Sequence, residues 1–256
     1  MELIQTGALQ YYCSSITAKH GFFTRAGGIS PAPFTGLNLG GTVGDDVVNV
    51  QQNHALMYEV MDIDGSRAVT TWQVHGADVV MAHAPVPERK WLAKADGVIT
   101  NQPNVPLVMR FADCVPILYH DPVQQAIGMA HAGWRGTVQG MAQEMVVAMQ
   151  EAYGSKPQDI VAVIGPSISQ VHFQVGEEVV SAIQERYGTD EALIVRDAND
   201  GTAYVDLWEA NKRDLQMVGV EQIEIMGLCT YAHTEQFYSH RAEKGRTGRF
   251  GVVITL

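Results

Sequence analysis

No stretch of this sequence constrains the fold more than Val105 to Thr137, VPLVMRFADCVPILYHDPVQQAIGMAHAGWRGT. It holds three apolar runs, Leu107 to Phe111, Val115 to Tyr119 and Ala126 to Ala132. Short, nearly continuous apolar runs with β-branched and aromatic members are the pattern of strands buried on both faces. Asp121-Pro122-Val123-Gln124 fits a type I turn, with Asp at the first position and Pro pre-setting φ at the second. A four-residue hairpin loop there makes His120 and Gln125 the closing pair, and in that register Cys114 falls opposite His131. Directly opposed residues share a face with Cβ atoms about 4.5–5.5 Å apart, near enough for one metal ion to bridge. A slip of a single residue would send the two to opposite faces.

A strand cysteine near a histidine is more often packing than chemistry, because Cys is among the most buried residue types. The residues after His131 favour chemistry. His131-Ala-Gly-Trp-Arg-Gly-Thr137 ends a strand in small residues and is expected to open a helix, with Thr137 as N-cap and Val138 to about Tyr153 as its body. A helix start presents free N–H groups that suit an anion. Arg135 would add a planar fork of donors for phosphate or carboxylate.

The charge balance narrows the partners. With 17 basic and 28 acidic residues, a net charge of −11, the chain lacks the basic surface that nucleic acids or anionic membranes require. A small-molecule ligand in a local cationic pocket is the remaining expectation. The three scattered cysteines, Cys13, Cys114 and Cys229, make no disulfide framework and suit a reducing compartment. The sequence offers neither a basic-then-apolar leader nor about 18 consecutive apolar residues, so the reading is a cytoplasmic chain.

The remaining segments predict one domain over residues 1–256, of α+β class. Residues 9–24 and Val69 to Met81 read as strands, with His75 on the less apolar side of the second. The Gly- and Pro-rich loop 24–41 is too long for a plain connection and too apolar, at Phe34, Leu37 and Leu39, for disorder. Helices are expected over Val47 to Met61 behind Asp45 or Asp46, from Gly176 to about Tyr187, and over Leu207 to Val218 behind Asp206. Strands outnumber helices and do not alternate strictly with them. That favours mixed β-sheets flanked by helices over a doubly wound fold.

A catalytic zinc site takes three protein ligands and leaves a position open. Cys114 and His131 supply two, and His75, at a strand end beside Gly76, is the best third. Asp113 is a candidate for orienting a ligand histidine. His20, His54, His83, His120 and His172 read as solvated or core-satisfied side chains, while His233 and His240 lie in a polar C-terminal stretch. That stretch, Phe237 to Arg249, sets four cations among aromatics and glycines. No GxGxxG, GxxxxGK[ST] or GxSxG motif is present, so dinucleotide, P-loop and serine-elbow readings are excluded.

Taken in order, Thr24-Arg-Ala-Gly-Gly-Ile-Ser30, Gly36-Leu-Asn-Leu-Gly40, Gln73-Val-His-Gly76, Ala112-Asp-Cys-Val-Pro116, His131-Ala-Gly-Trp-Arg-Gly136, Gly165-Pro-Ser-Ile168, Cys229-Thr230 and Phe237-Tyr-Ser239…Arg241 resemble the bacterial YfiH family, also called the laccase-domain or peptidoglycan-editing-factor family. The resemblance covers nearly the whole chain. It implies a β-sandwich flanked by helices and a zinc-dependent purine nucleoside phosphorylase, with adenosine deaminase and methylthioadenosine phosphorylase activity also attributed to members. It places the Zn2+ ligands on His75, Cys114 and His131, and substrate contacts on Asn38, Arg25 and Arg241; Arg135 is a further phosphate-binding candidate. Two departures remove cation candidates: Asn53-His54 where many members have Asn-Arg, and His240-Arg241-Ala242 where members have Tyr-Arg-Arg. Rival readings are a Cu2+-dependent polyphenol oxidase, disfavoured by nine histidines without one His-x-His, a hydrolase of peptidoglycan precursors with Cys114 as nucleophile, and a purely structural zinc.

Overall fold

The structure is a computed structural model and describes residues 1–86 and 90–256. Its centre is a pair of sheets. The first has five antiparallel strands in the order β1 (Glu2–Thr6), β2 (Leu9–Cys13), β3 (Lys19–Phe23), β14 (Phe250–Thr255) and β6 (Leu107–Phe111). The second is mixed, in the order β13 (Gln222–Ile225), β9 (Val161–Ile164), β7 (Val115–Asp121), β8 (Ala126–Ala132), β5 (Gly97–Thr100) and β4 (Val79–Met81). A small sheet of β10 (Gln174–Val175), β12 (Ala203–Val205) and β11 (Ile194–Arg196) stands apart from both.

Strand alternation sorts the apolar residues into three cores. Met109, Phe111, Val252 and Ile254 of the first sheet meet Val98, Leu118, Ile127 and Met129 of the second. The other face of the second sheet, through Ile99, Ile117, Tyr119 and Ala130, packs on Met141, Met145 and Met149 of α3 (Met141–Tyr153), with α4 (Glu177–Tyr187) and α5 (Leu207–Met217) beside it. The other face of the first sheet, through Phe23, Val108 and Val253, packs on Met57 and Met61 at the end of α1 (Val47–Val60) and on Leu37 and Leu39 of the 24–41 loop. Strand β7 is buried along its whole length because both its faces are covered, which is why its sequence shows no polar alternation. The expected sandwich flanked by helices is the fold observed.

Four local expectations are corrected. The β7–β8 hairpin pairs Asp121 with Ala126 and Pro116 with His131, not His120 with Gln125. Asp121 Oδ1 accepts from Val123 N at 2.8 Å and Gln124 N at 3.0 Å, and Gln125 takes a φ of 50°, so the loop is Pro122 to Gln125. The loop moves by one residue and the register by two, so Cys114 and His131 become diagonal neighbours with their facing unchanged. Thr137 is no N-cap. A single turn, α2 (Trp134–Val138), starts behind Gly133, and Gly140 at φ 85° separates it from α3. The Thr137 hydroxyl is buried and accepts from Asn211 Nδ2 at 3.0 Å. Last, Val69 to Met81 is a strand only at β4. Upstream the chain makes isolated bridges at Val69 and Trp72, then His75 takes a φ of 62° and turns it away.

Candidate metal centre

The site lies at the end of the sandwich where the chain passes from one sheet to the other. Strand β6 ends at Phe111, Ala112 to Cys114 make the crossover, and β7 begins at Val115. Asp113 takes a φ of 82° to make that bend, and its carboxylate accepts from Thr230 Oγ1 and Arg241 N, each at 2.7 Å. These bonds close the crossover against the C-terminal stretch. Asp113 therefore orients backbone, not a histidine.

The three candidate ligands converge. One donor atom each from His75, Cys114 and His131 lie within 4.8 Å of one another, with Cys114 Sγ 4.0 Å from His75 Nδ1. Their neighbour Gly133 has no room for a side chain: a Cβ there would stand 3.0 Å from His75 Nδ1 and 3.1 Å from Cys114 Sγ. His131, at the end of β8, is buried, Cys114 half-buried and His75 exposed. The donor set of two imidazoles and a thiolate suits zinc or copper, and it leaves the cavity side open.

The residue that sequence reasoning missed is Asp96. It is fully buried, its Oδ1 lies 2.8 Å from His131 Nδ1, and its Oδ2 accepts from Val74 N at 3.0 Å and Gly76 N at 2.8 Å. The bond to Nδ1 makes that nitrogen the N–H and leaves Nε2 its lone pair for a ligand. The two backbone bonds bracket His75. One carboxylate thus fixes two of the three donors. Burial pushes Asp96 up, but the bonds from His131, Gly76 and Val74 hold it below the usual carboxylate range. Burial also works against the Cys114 thiolate, yet His131 and His75 lower the thiol to about 6. His131 is raised to about 9, since the charges and hydrogen bonds of Cys114 and Asp96 outweigh its burial.

The centre opens into a cavity of about 570 Å³. Arg110, Arg241 and Arg249 line it, with His54 and His240, so a chain of net charge −11 is locally cationic here. Trp72 and Trp91 line it too, 37% and 48% exposed, with ring centroids 4.3 Å apart. Of the residues expected to bind substrate, Arg241 is in the cavity wall, while Arg25, Asn38 and Arg135 are not among its lining residues. Arg25 donates to Thr234 O at 2.9 Å, pairs with Glu243 at 3.2 Å and lies over the Tyr238 ring. Asn38 is buried; its Oδ1 accepts from Gly40 N and Arg249 N, both at 2.9 Å, and its Nδ2 reaches Asp45 at 2.8 Å. Both side chains brace the loops that form the cavity wall. Arg135 is exposed and stacks on Trp134 at 4.3 Å. Arg110 was also missed by sequence reasoning, although a lone cation inside the apolar run Leu107 to Phe111 was a signal that could have found it.

Along nearly its whole length the chain is similar to known proteins. The family described as multi-copper polyphenol oxidoreductase laccase matches residues 19–256. The Bacillus subtilis protein named purine nucleoside phosphorylase YlmD is 38% identical over 244 residues, covering 92% of this chain and 87% of that one. Mouse purine nucleoside phosphorylase LACC1 is 34% identical over 86% of this chain and 51% of its own length. The crystal structure of YlmD from Geobacillus stearothermophilus superposes with a TM-score of 0.92 at 33% identity, covering 99% of this chain and 98% of that one. The Bacillus licheniformis hypothetical protein YfiH gives 0.91 at 32%, over 98% and 97% of the two chains. With the family model, the relatives and the fold in accord, this chain belongs to the YfiH, or laccase-domain, family.

Proposed function

We propose that this protein is a zinc-dependent purine nucleoside phosphorylase, acting on adenosine, inosine, guanosine and methylthioadenosine, with adenosine deamination as a second reaction of the same site. One observation carries the reading: three metal donors and three arginines face a single cavity. The names of the relatives support it. In phosphorolysis a phosphate oxygen bonds to C1′ as the C1′–N9 bond breaks. The purine leaves with the electron pair and takes a proton, giving free base and ribose 1-phosphate.

Positive charge grows on the ribose and negative charge on the leaving base, so the protein's task is to position phosphate and support the base. His75, Cys114 and His131 would hold the metal, and zinc there would supply Lewis-acid chemistry. Asp96 keeps the His131 proton on Nδ1 and the lone pair on Nε2. The arginines attract and orient the dianion. Trp72 and Trp91, with ring planes 80° apart, give an apolar aromatic corner against which a purine can pack and help exclude bulk water.

A specific arrangement favours a rival. Cys114, His131 and Asp96 run in the order nucleophile, base and orienting carboxylate, as a cysteine hydrolase of cell-wall precursors would need. Metal content separates the two, since a zinc-bound sulfur is a poor free nucleophile. Polyphenol oxidation has less support: among the described residues this is the one group of three donors, too few for several coppers. Copper bound there in place of zinc would account for weak oxidase activity. The test is metal analysis with nucleoside turnover for the wild type and Cys114→Ala. About one zinc per chain, with metal and turnover lost together in the variant, is expected. Unchanged turnover in a metal-free variant would overturn the proposal.

A further inference from the structure

Arg110, Arg241 and Arg249 share the cavity with the metal donors, yet among the described residues none of them forms an ion pair. Elsewhere among the described residues four arginines are ion-paired, Arg25 with Glu243 at 3.2 Å, Arg186 with Asp214 at 3.0 Å, Arg196 with Glu177 at 2.8 Å and Arg213 with Asp190 at 2.6 Å, while Arg67, Arg135 and Arg246, outside the cavity, are not. Among the described residues the one carboxylate lining the cavity, Asp113, is already engaged by Thr230 and the Arg241 backbone.

The cavity arginines are nevertheless held in place. Arg110 Nη2 donates to Thr71 O at 3.0 Å and Gln73 Oε1 at 3.3 Å. Arg249 Nη1 donates to Gly248 O at 2.8 Å and Thr247 O at 3.2 Å, and Arg241 Nη1 to Gln174 O at 2.7 Å. Each guanidinium is anchored by one terminal nitrogen, and the other terminal nitrogen and Nε make no hydrogen bond to a described residue. The β6–β14 pairing sets Arg110 opposite Gly251, two residues past Arg249, so strand alternation brings both to the cavity face. Gly40 packs on the Arg249 stem, where a Cβ would come within 2.8 Å of Cγ. Burial lowers Arg110 to about 10, and burial also lowers Arg249, against the raising pull of the Cys114, Asp113 and Glu243 charges. Anchored guanidinium groups that make no ion pair, and that are partly desolvated as Arg110 and Arg249 are, are built to receive an oxyanion.

We infer that Arg110 and Arg249, with Arg241, form an oxyanion subsite beside the metal centre and that its ligand is inorganic phosphate. The preference for an anion stands on the unpaired arginines; the choice of phosphate rests on the phosphorylase reading. The assignment moves anion binding from Arg25 and Arg135 to strand residues fixed by the sheet.

The test titrates inorganic phosphate into the zinc-loaded full chain by calorimetry, and measures phosphate and nucleoside KM separately. The variants are Arg110→Gln, Arg249→Gln and Arg249→Lys. Each Gln variant is expected to weaken phosphate binding about 10- to 100-fold, as loss of one charge-assisted pair does. Zinc content and nucleoside KM stay within about twofold, and Arg249→Lys recovers part of the loss because charge returns without the fork. If Arg110→Gln fails to fold, the Arg249 pair of variants decides. Folded, zinc-loaded Gln variants with wild-type phosphate affinity overturn the inference, and so does a wild type that binds no phosphate. Phosphate binding that needs the arginines but leads to no phosphorolysis keeps the subsite and sinks the phosphorylase reading. Phosphorolysis with an unchanged phosphate KM in the variants does the reverse.

Discussion

Replacing Asp96 by Asn tests how the metal centre is held with the least change of shape. The carboxylate contacts three donors, the buried His131 Nδ1 and the part-buried Val74 N and Gly76 N. An asparagine has one acceptor oxygen and an NH2 group. If the oxygen keeps the two backbone bonds, the NH2 faces Nδ1 and favours the other histidine tautomer. The proton then sits on Nε2, the atom that should bind metal. Losing such an orienting partner costs about 10- to 100-fold in metal affinity, or about 1.4–2.7 kcal/mol. Asp96→Ala would be worse: three donors lose their acceptor at about 1–3 kcal/mol each, enough to threaten folding. The assay is competition for zinc against a chromophoric chelator, with thermal melts of the metal-free proteins alongside. Asp96→Asn should melt within a few degrees of wild type and bind zinc at least about tenfold more weakly. Wild-type zinc affinity in a folded Asp96→Asn protein would refute the reasoning.

The same contacts set other outcomes. Gly133→Ala adds a methyl within 3.1 Å of two ligands at an ordinary backbone φ of −69°, so zinc affinity should fall about tenfold or more with little change in the metal-free melt; unchanged affinity would show that the donors have slack. In metal-free protein, iodoacetamide should alkylate Cys114 with a midpoint near pH 6, the value at which His131 and His75 hold the thiol, and zinc should suppress the reaction; a midpoint near 9 would deny the thiolate. Asn38→Ala leaves the Gly40 and Arg249 N–H groups without their acceptor, so the melt should drop by roughly 4–16 °C, for about 2–4 kcal/mol at ~2–4 °C each; a change in nucleoside KM alone would instead make Asn38 a substrate contact. His20 and His120 are lowered by burial, and His20 Nε2 accepts from Ser14 N at 2.8 Å. Their neutral forms favour the fold, so stability is full above the unfolded pKa of about 6.5 and declines as pH falls through the lower folded values. His120→Gln should flatten that decline, measured as the melting temperature between pH 5 and 7.5.

How much of this was legible depended on the range of the interaction that fixes each feature. Helix ends with local signals read true: Asp46 and Asp206 cap as their residue types predict. The face shared by Cys114 and His131 survived a wrong turn because β structure has a period of two and the register error was even. The start of α2 did not read true, because tertiary contacts decide it. Gly133 must be bare to fit against His75 and Cys114, and Thr137 is held by Asn211 and Tyr187 from distant helices. Asp96 was invisible for the same reason. Its three partners lie 20, 22 and 35 residues away, and a strand-edge Asp before a glycine looks like any turn residue. Asn38 and Arg25 carried the family motif but fold the loop, which only their hydrogen bonds reveal.

The central claim is that one metal-centred cavity brings phosphate to a purine nucleoside. The most direct measurement tracks inosine in zinc-loaded protein with and without phosphate, identifying both products. The account predicts hypoxanthine and ribose 1-phosphate in equal amounts, formed only when phosphate is present. Hypoxanthine with free ribose, or a rate indifferent to phosphate, would contradict it.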